Sequence, residues 1–195
     1  MKRGLVVLMV MNLIGVGVVG AAVHRGEIDL SLSATWFNES AGEGGQEFDG
    51  WFGSAGIGYF VSDHIELQVA ALGFHTTGNP TSAYPFEQKD TFYAFGGKAE
   101  YYFVPKNSWN PYLGAQFFWG KLKRDSPGDR FDADIDGFLW GPLAGLRFEL
   151  TPHNSFFVEY QFHIWGGDVS DENCLNSPGW ETGNLVTLGL IHTFR

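Results

Sequence analysis

The chain has 195 residues, including 27 Gly and 18 Phe, and carries 22 acidic against 12 basic side chains for a formal net charge of −10. That balance excludes a nucleic-acid partner, whose phosphates demand Lys and Arg. The aromatic content excludes a disordered chain, and the glycine content excludes a helical bundle. The single Cys174 cannot form an internal disulfide and lies too far from the start to be the acylated cysteine of a lipoprotein.

The first segment reads as an export signal. Lys2 and Arg3 form a positive n-region, Gly4 to Gly20 is an almost uncharged apolar run, and Gly20 and Ala22 occupy the two small recognition positions. Cleavage is expected near Ala22, which makes residues 1–22 a signal peptide and 23–195 one domain. As a membrane anchor the run is barely long enough. No later uncharged apolar stretch approaches the length of a transmembrane helix.

Alternation with period two then recurs down the chain, the signature of strands with two unlike faces. Strand one (27–37) sets Ile28, Leu30, Leu32, Ala34 and Trp36 against Asp29, Ser31, Ser33 and Thr35. Strand two (51–61) sets Trp51, Ala55, Ile57, Tyr59 and Val61 against Ser54, Gly56 and Gly58. Strand three (65–76) sets Ile65, Leu67, Val69 and Ala71 against Glu66, Gln68 and Ala70. Strand four (91–103) sets Tyr93, Phe95, Ala99, Tyr101 and Phe103 against Gly96, Lys98 and Glu100. Strand five (112–121) sets Leu113, Ala115, Phe117 and Trp119 against Gly114 and Gln116. Strand six (137–150) sets Phe138, Trp140, Ala144, Leu146, Phe148 and Leu150 against Gly141, Gly145, Arg147 and Glu149. Strand seven (156–165) sets Phe156, Val158, Tyr160, Phe162 and Ile164 against Glu159, Gln161 and His163. The last strand sets Val186, Leu188, Leu190 and Phe194 against Thr187, Gly189 and Thr193. Leu72, Phe118 and Leu143 break the pattern by falling on the polar face.

The connections alternate in length. Short ones fall at Ser62–His64, Val104–Asn110 and Thr151–Ser155, and long ones at about 38–50, 77–90, 122–136 and 166–181. Short, long, short, long predicts an all-β, eight-stranded antiparallel up-and-down transmembrane barrel, with periplasmic turns and external loops. An even strand number places both termini on the periplasmic side. Aromatic residues gather at strand ends as interfacial belts: Trp36, Trp51, Tyr93, Trp119, Trp140 and Trp165 toward the long loops, and Tyr59, Tyr101, Phe103, Phe148, Phe156 and Phe194 toward the short turns. In a soluble barrel the apolar face would point inward. Here the polar face carries Glu66, Lys98, Glu100, Arg147, Glu149 and Glu159, with Gly to give room, which suits a narrow lumen of paired charges. Gln68, Gln116, Gln161 and His163 join them as the predicted luminal polar network.

On these residues the sequence resembles the small eight-stranded outer-membrane barrel proteins of the OmpA-barrel, OmpX and OmpW kind. The more specific pieces are Asn110-Pro111-Tyr112-Leu113-Gly114, Gly145-Leu146-Arg147-Phe148 and Val158-Glu159-Tyr160-Gln161-Phe162. The last strand is similar to the signal read by the barrel-assembly machinery, through Thr187, Gly189 and Phe194; it departs from it in His192 and in the Arg195 that follows the aromatic. The resemblance implies an integral protein of the Gram-negative outer membrane, with membrane lipid, lipopolysaccharide and the assembly machinery as partners. A monomer is expected. Eight strands enclose room for side chains or one small ligand, which argues against a wide pore.

Three roles follow. The first is a structural or surface-interacting envelope component with acidic external loops. The second is a narrow conduit or binding barrel for small apolar molecules, as in the OmpW-like group. The third is a lipid A-modifying enzyme. The lipid A deacylases place a His and a Ser two residues apart on a late strand, with a downstream acid. His163 and the segment Asn176–Glu181 are loosely similar, but the residue two after His163 is Trp165. Nothing positions Ser170 or Ser177 beside that base, so no catalytic residue is assigned and His163 is read as luminal. Asp132-Ala133-Asp134-Ile135-Asp136-Gly137 mimics the start of a calcium loop, but Leu143 stands where the bidentate Glu belongs. A solvated acidic loop from Asp125 to Asp136 is expected, with no assigned metal and no cofactor. Divalent cations bridging the acidic rim to lipopolysaccharide phosphates are one expected consequence.

Overall fold

A sequence that alternates apolar and polar residues needs a surface with two unlike environments, and a sheet closed on itself supplies one without leaving an edge. The computed structural model describes residues 23–40, 47–79, 88–125, 133–169 and 181–195. Eight strands account for nearly all of them: β1 (Ile28–Ser40), β2 (Glu47–Ser62), β3 (Ile65–Asn79), β4 (Gln88–Tyr102), β5 (Trp109–Asp125), β6 (Ala133–Thr151), β7 (Asn154–Val169) and β8 (Glu181–Phe194). Each strand pairs antiparallel with its sequence neighbours, and β8 returns to β1 to close the barrel.

The faces are inverted relative to a water-soluble protein. Leu32 is 57% exposed and Phe95 66%, whereas Arg147 is 2% exposed and Asp29 fully buried. An apolar outer band of this continuity is stable only against lipid, since in water it would be an aggregation surface. The alternation on all eight strands is therefore reproduced with the expected orientation.

The residues that break the pattern form the core. Leu72 and Phe118 point inward and pack with Phe52, Ala70, Phe92, Ala94 and Leu139 in one luminal cluster, while Leu143 joins Val23, Phe60, Tyr102 and Tyr112 in a second. A bore too narrow for bulk water must be filled, and apolar side chains fill part of it without needing partners. Trp165 is a correction to the predicted belt. It packs against the first luminal cluster, with its ring edge-on to Phe92 at 5.0 Å, because it shares the inward phase of Gln161 and His163.

The strands also run further outward than alternation alone predicts, with β5 reaching Asp125 and β6 starting at Ala133. Asp125, Asp134 and Asp136, expected in an acidic loop, are thus strand residues opposite Lys89, Lys123 and Lys121 respectively. Lys121 and Asp136 approach to 3.7 Å. Opposed charges across a ladder support pairing, which extends the hairpin beyond its apolar stretch. Asp129 and Asp132 lie outside the described residues, as do the signal segment, Ser170, Cys174 and Ser177.

One seam is short. The β1–β2 ladder continues to Ser40↔Glu47, whereas the β1–β8 ladder runs only from Ile28↔Phe194 to Ala34↔Leu188. Just above it, the Thr35 hydroxyl donates to the Val186 carbonyl at 3.1 Å.

Candidate functional site in the lumen

The half of the bore nearer the short turns holds the charged side chains, and two sets of contacts organise them. The first straddles the short seam. Arg147, on β6, donates through Nη1 to Asp29 Oδ2 on β1 at 2.5 Å, through Nη2 to the Thr193 hydroxyl on β8 at 2.9 Å, and through Nε to the Ser155 hydroxyl on β7 at 3.1 Å. The Thr193 hydroxyl in turn donates a hydrogen bond to Asp29 Oδ1 at 2.6 Å. One guanidinium thus ties four consecutive strands, and its planar fork is what permits three directions at once. The Phe60 ring lies 5.9 Å from its carbon.

The second set crosses the bore. Lys98 Nζ on β4 meets Glu159 Oε1 on β7 at 2.6 Å. Tyr112 donates to Glu159 Oε2 at 3.1 Å, and Gln161 Nε2 donates to Oε1 at 2.5 Å. His163 Nε2 meets Gln161 Oε1 at 2.8 Å. Beside them the Tyr102 hydroxyl stands 2.9 Å from Glu66 and 3.0 Å from Glu100. The Tyr102 and Tyr112 rings lie 5.1 Å apart, one layer of aromatic filler between the carboxylates.

Glycine makes this density possible. A Cβ at Gly145 would sit 2.2 Å from the Tyr112 ring, and one at Gly58 would sit 1.7 Å from Glu66 Oε1. Both lie on the inner face, where the missing side chain is the space another side chain occupies.

The structure places the residues of the predicted network as follows. Glu66, Lys98, Glu100, Gln116, Arg147, Glu159 and Gln161 are buried, and Gln68 donates to the Ser31 hydroxyl at 3.0 Å. Glu149 sits half-buried at the short-turn end, where its amide donates to the Ser108 carbonyl at 2.8 Å. The Gln116 side chain has no hydrogen-bond partner among the described residues; it lies between the polar half and the Phe118 cluster. Asp29, Tyr102, Tyr112, Ser155 and Thr193 were not foreseen as members, although each has the inward phase of its strand. Of the assembly-signal residues, Thr187 is fully buried, Gly189 leaves room for the Phe157 ring, and Phe194 is exposed on the outer face beside His192.

Among the described residues, His163 has its hydrogen-bond contact with Gln161. Its ring points into the bore, away from the lipid-facing wall, and lies 6.5 Å from that of Phe52. Among the described residues no three His, Cys, Asp or Glu side chains are grouped to hold a metal ion. The described contacts in the bore include charge pairs, hydrogen bonds and packed rings.

Comparison with known proteins agrees with this architecture. The solved structure of neisserial surface protein A (NspA) is similar, with a TM-score of 0.61 and 19% identity over 87% of this chain and 98% of that one. Ail, the attachment invasion locus protein of Yersinia pestis, follows at 0.52 and 14% over 87% and 99%. The outer membrane protein OprG from Pseudomonas aeruginosa gives 0.51 and 12% over 90% and 98%. At these identities the likeness shows the fold. No curated protein matches the chain by sequence. The family model for the outer membrane protein beta-barrel domain matches residues 7–183, nearly the whole chain. The chain therefore belongs to the outer-membrane β-barrel family, whose members are integral proteins of that membrane.

Proposed function

We propose that the protein is a structural and surface-interacting component of the Gram-negative outer membrane, with both termini periplasmic and acidic connections outside. The observation that carries this reading is the filled bore. Phe60 and Phe118 are fully buried within it, the Lys98–Glu159 pair spans it, and Arg147 locks its base. A barrel filled in this way stabilises a wall rather than a path. NspA is named a surface protein and Ail an attachment protein; both names are compatible with the reading. Expected partners are lipopolysaccharide and, during biogenesis, the barrel-assembly machinery. Planar-bilayer recordings should show no discrete conductance, and lipid A from cells expressing the protein should keep its mass. Stable unitary currents, or a lipid A mass lowered by an acyl chain, would each refute the proposal.

One observation favours a second reading, a binding barrel for small apolar molecules. Above Ala34↔Leu188 the β1–β8 ladder stops, and the adjacent upper lumen is lined by Leu185, Trp165 and Phe52. Titration with an apolar fluorescent probe, read through energy transfer from tryptophan, tests it. Saturable uptake lost in Leu185→Asp supports this reading, and non-saturable partitioning into micelles alone removes it.

A further inference from the structure

Residues 23–27 precede the first strand, and they are folded under the barrel. Val23 is 1% exposed and packs against Phe60, Tyr102, Tyr112 and Leu143, which descend from β2, β4, β5 and β6. Its nitrogen donates to the Pro105 carbonyl at 2.8 Å. Pro105 belongs to the turn between β4 and β5, and in a closed ring of eight β5 stands opposite β1. The segment therefore runs from the β1 wall to the far side of the periplasmic mouth.

It is held at both ends. The Gly26 amide donates to the Phe60 carbonyl at 2.9 Å, and the Phe60 amide donates to the Glu27 carbonyl at 3.1 Å. His24 N donates to Glu27 Oε2 at 3.0 Å, and Arg25 N to Asp63 Oδ1 at 2.9 Å. Arg195 Nε meets Glu27 Oε1 at 2.8 Å, which binds the strap to the chain's other end. Gly26, at φ 92°, supplies the turn that redirects the chain across the mouth, a conformation other residues adopt at a cost.

We propose that residues 23–27 are a built-in stopper that closes the lumen to the periplasm, with Val23 as the plug and the Pro105 carbonyl as the catch. Cleavage after Ala22 makes the Val23 nitrogen an ammonium, whose bond to that carbonyl is charge-assisted and stronger. Removal of the leader thus tightens the catch. The stopper keeps water from the Arg147–Asp29 and Tyr102–Glu66 contacts, which are strong only in a dry, low-dielectric bore. It also leaves the outer side as the one route for exchange with the lumen.

The test places a reporter behind the plug. In a Cys174→Ser background, Leu143→Cys puts a thiol against Val23, and its rate of modification by a charged maleimide is measured with Val23 intact and as Val23→Asp. Heat-modifiable gel mobility establishes that each barrel is folded. Slow labelling that accelerates about tenfold or more in Val23→Asp is expected, because opening of the strap becomes the accessible state. Equal rates in the two backgrounds overturn the proposal. If Val23→Asp does not fold, hydrogen exchange of the unsubstituted protein decides. The Phe60 amide, bonded only to the strap, should exchange far more slowly than the exposed Lys106 amide in the turn. Comparable exchange sinks the stopper. Either failure leaves the conductance and lipid A results, and so the proposed function, untouched.

Discussion

Replacing Arg147 by Leu separates the cost of breaking the seam network from the cost of losing bulk. Leu fills much of the same space but donates nothing. It leaves Asp29, fully buried, with a hydrogen bond from the Thr193 hydroxyl, and removes the donors to Thr193 and Ser155. Removing one partner of a buried pair costs about 3–5 kcal/mol, because the surviving charge is stranded. Arg147→Lys keeps the charge near Asp29 but gives up the fork, so it should cost about 1–3 kcal/mol. The double variant Arg147→Leu with Asp29→Leu removes both charges and should recover roughly half or more of the loss, since apolar replacement of a whole pair is often neutral. The measurement is reversible urea unfolding in lipid vesicles, followed by tryptophan emission and by heat-modifiable gel mobility. Wild type should be the most stable and the leucine variant the least, with the lysine and double variants between them. A leucine variant within about 1 kcal/mol of wild type, or a double variant less stable than the single, would show that the guanidinium is not the closing staple.

Three further outcomes follow from the same geometry. Leu32 lies on the lipid face midway between Ile28 and Trp36, so Leu32→Arg should destabilise the inserted barrel by about 2–4 kcal/mol in vesicle unfolding, whereas a neutral effect would mean that this face meets water. Gly145→Ala drives a methyl group into the Tyr112 ring, and an overpacking cost of about 1–3 kcal/mol is expected in the same assay; wild-type stability would place the ring elsewhere. Phe194→Ala removes an exposed aromatic at the rim that carries the short turns. It should leave unassembled protein in the periplasm while the assembled fraction melts within a few degrees of wild type, as judged by fractionation and gel shift; normal assembly with a lowered melting point would reverse its assigned role.

Alternation made the wall legible because each lipid-facing residue meets one uniform environment. Ile57, Tyr59 and Val61 had to be apolar or aromatic whatever their neighbours. The lumen is less uniform, and there the pattern carries less information. Leu72, Phe118 and Leu143 look like errors when the inner face is assumed polar, yet they are the filler of a bore with no water to spare. Strand phase alone would have placed Tyr102 on the face of Glu100, Tyr112 on the face of Gly114 and Gln116, and Trp165 inside rather than in the belt. Strand ends were hidden for another reason. Asp136 reads as loop when taken singly, and only register reveals that it stands opposite Lys121 at the end of β5. The stopper had no periodic signal at all, since five residues with one turn glycine make neither a strand nor a helix.

The placement of the ionic network follows from where the barrel is weakest. Seven neighbours are joined by a hairpin connection, but β1 and β8 meet only after the whole chain has been traced, and their ladder holds seven residue pairs against thirteen between β1 and β2. Asp29 and Thr193 are cross-strand partners within that short ladder, and Arg147 reaches them from three and two strands away. Arg195 to Glu27 adds a second tie between the two ends of the chain just outside it. Charges are costly to bury, and a pair placed within a long ladder would add little that backbone hydrogen bonds do not already provide. At a short seam the same pair sets the register in which the last strand closes, because a slip of one residue turns Thr193 toward lipid and leaves Asp29 without its donor. The network is thus a closure lock more than a stability reserve, which is why the double apolar variant should regain stability while closing less faithfully, visible as a mixture of folded gel species.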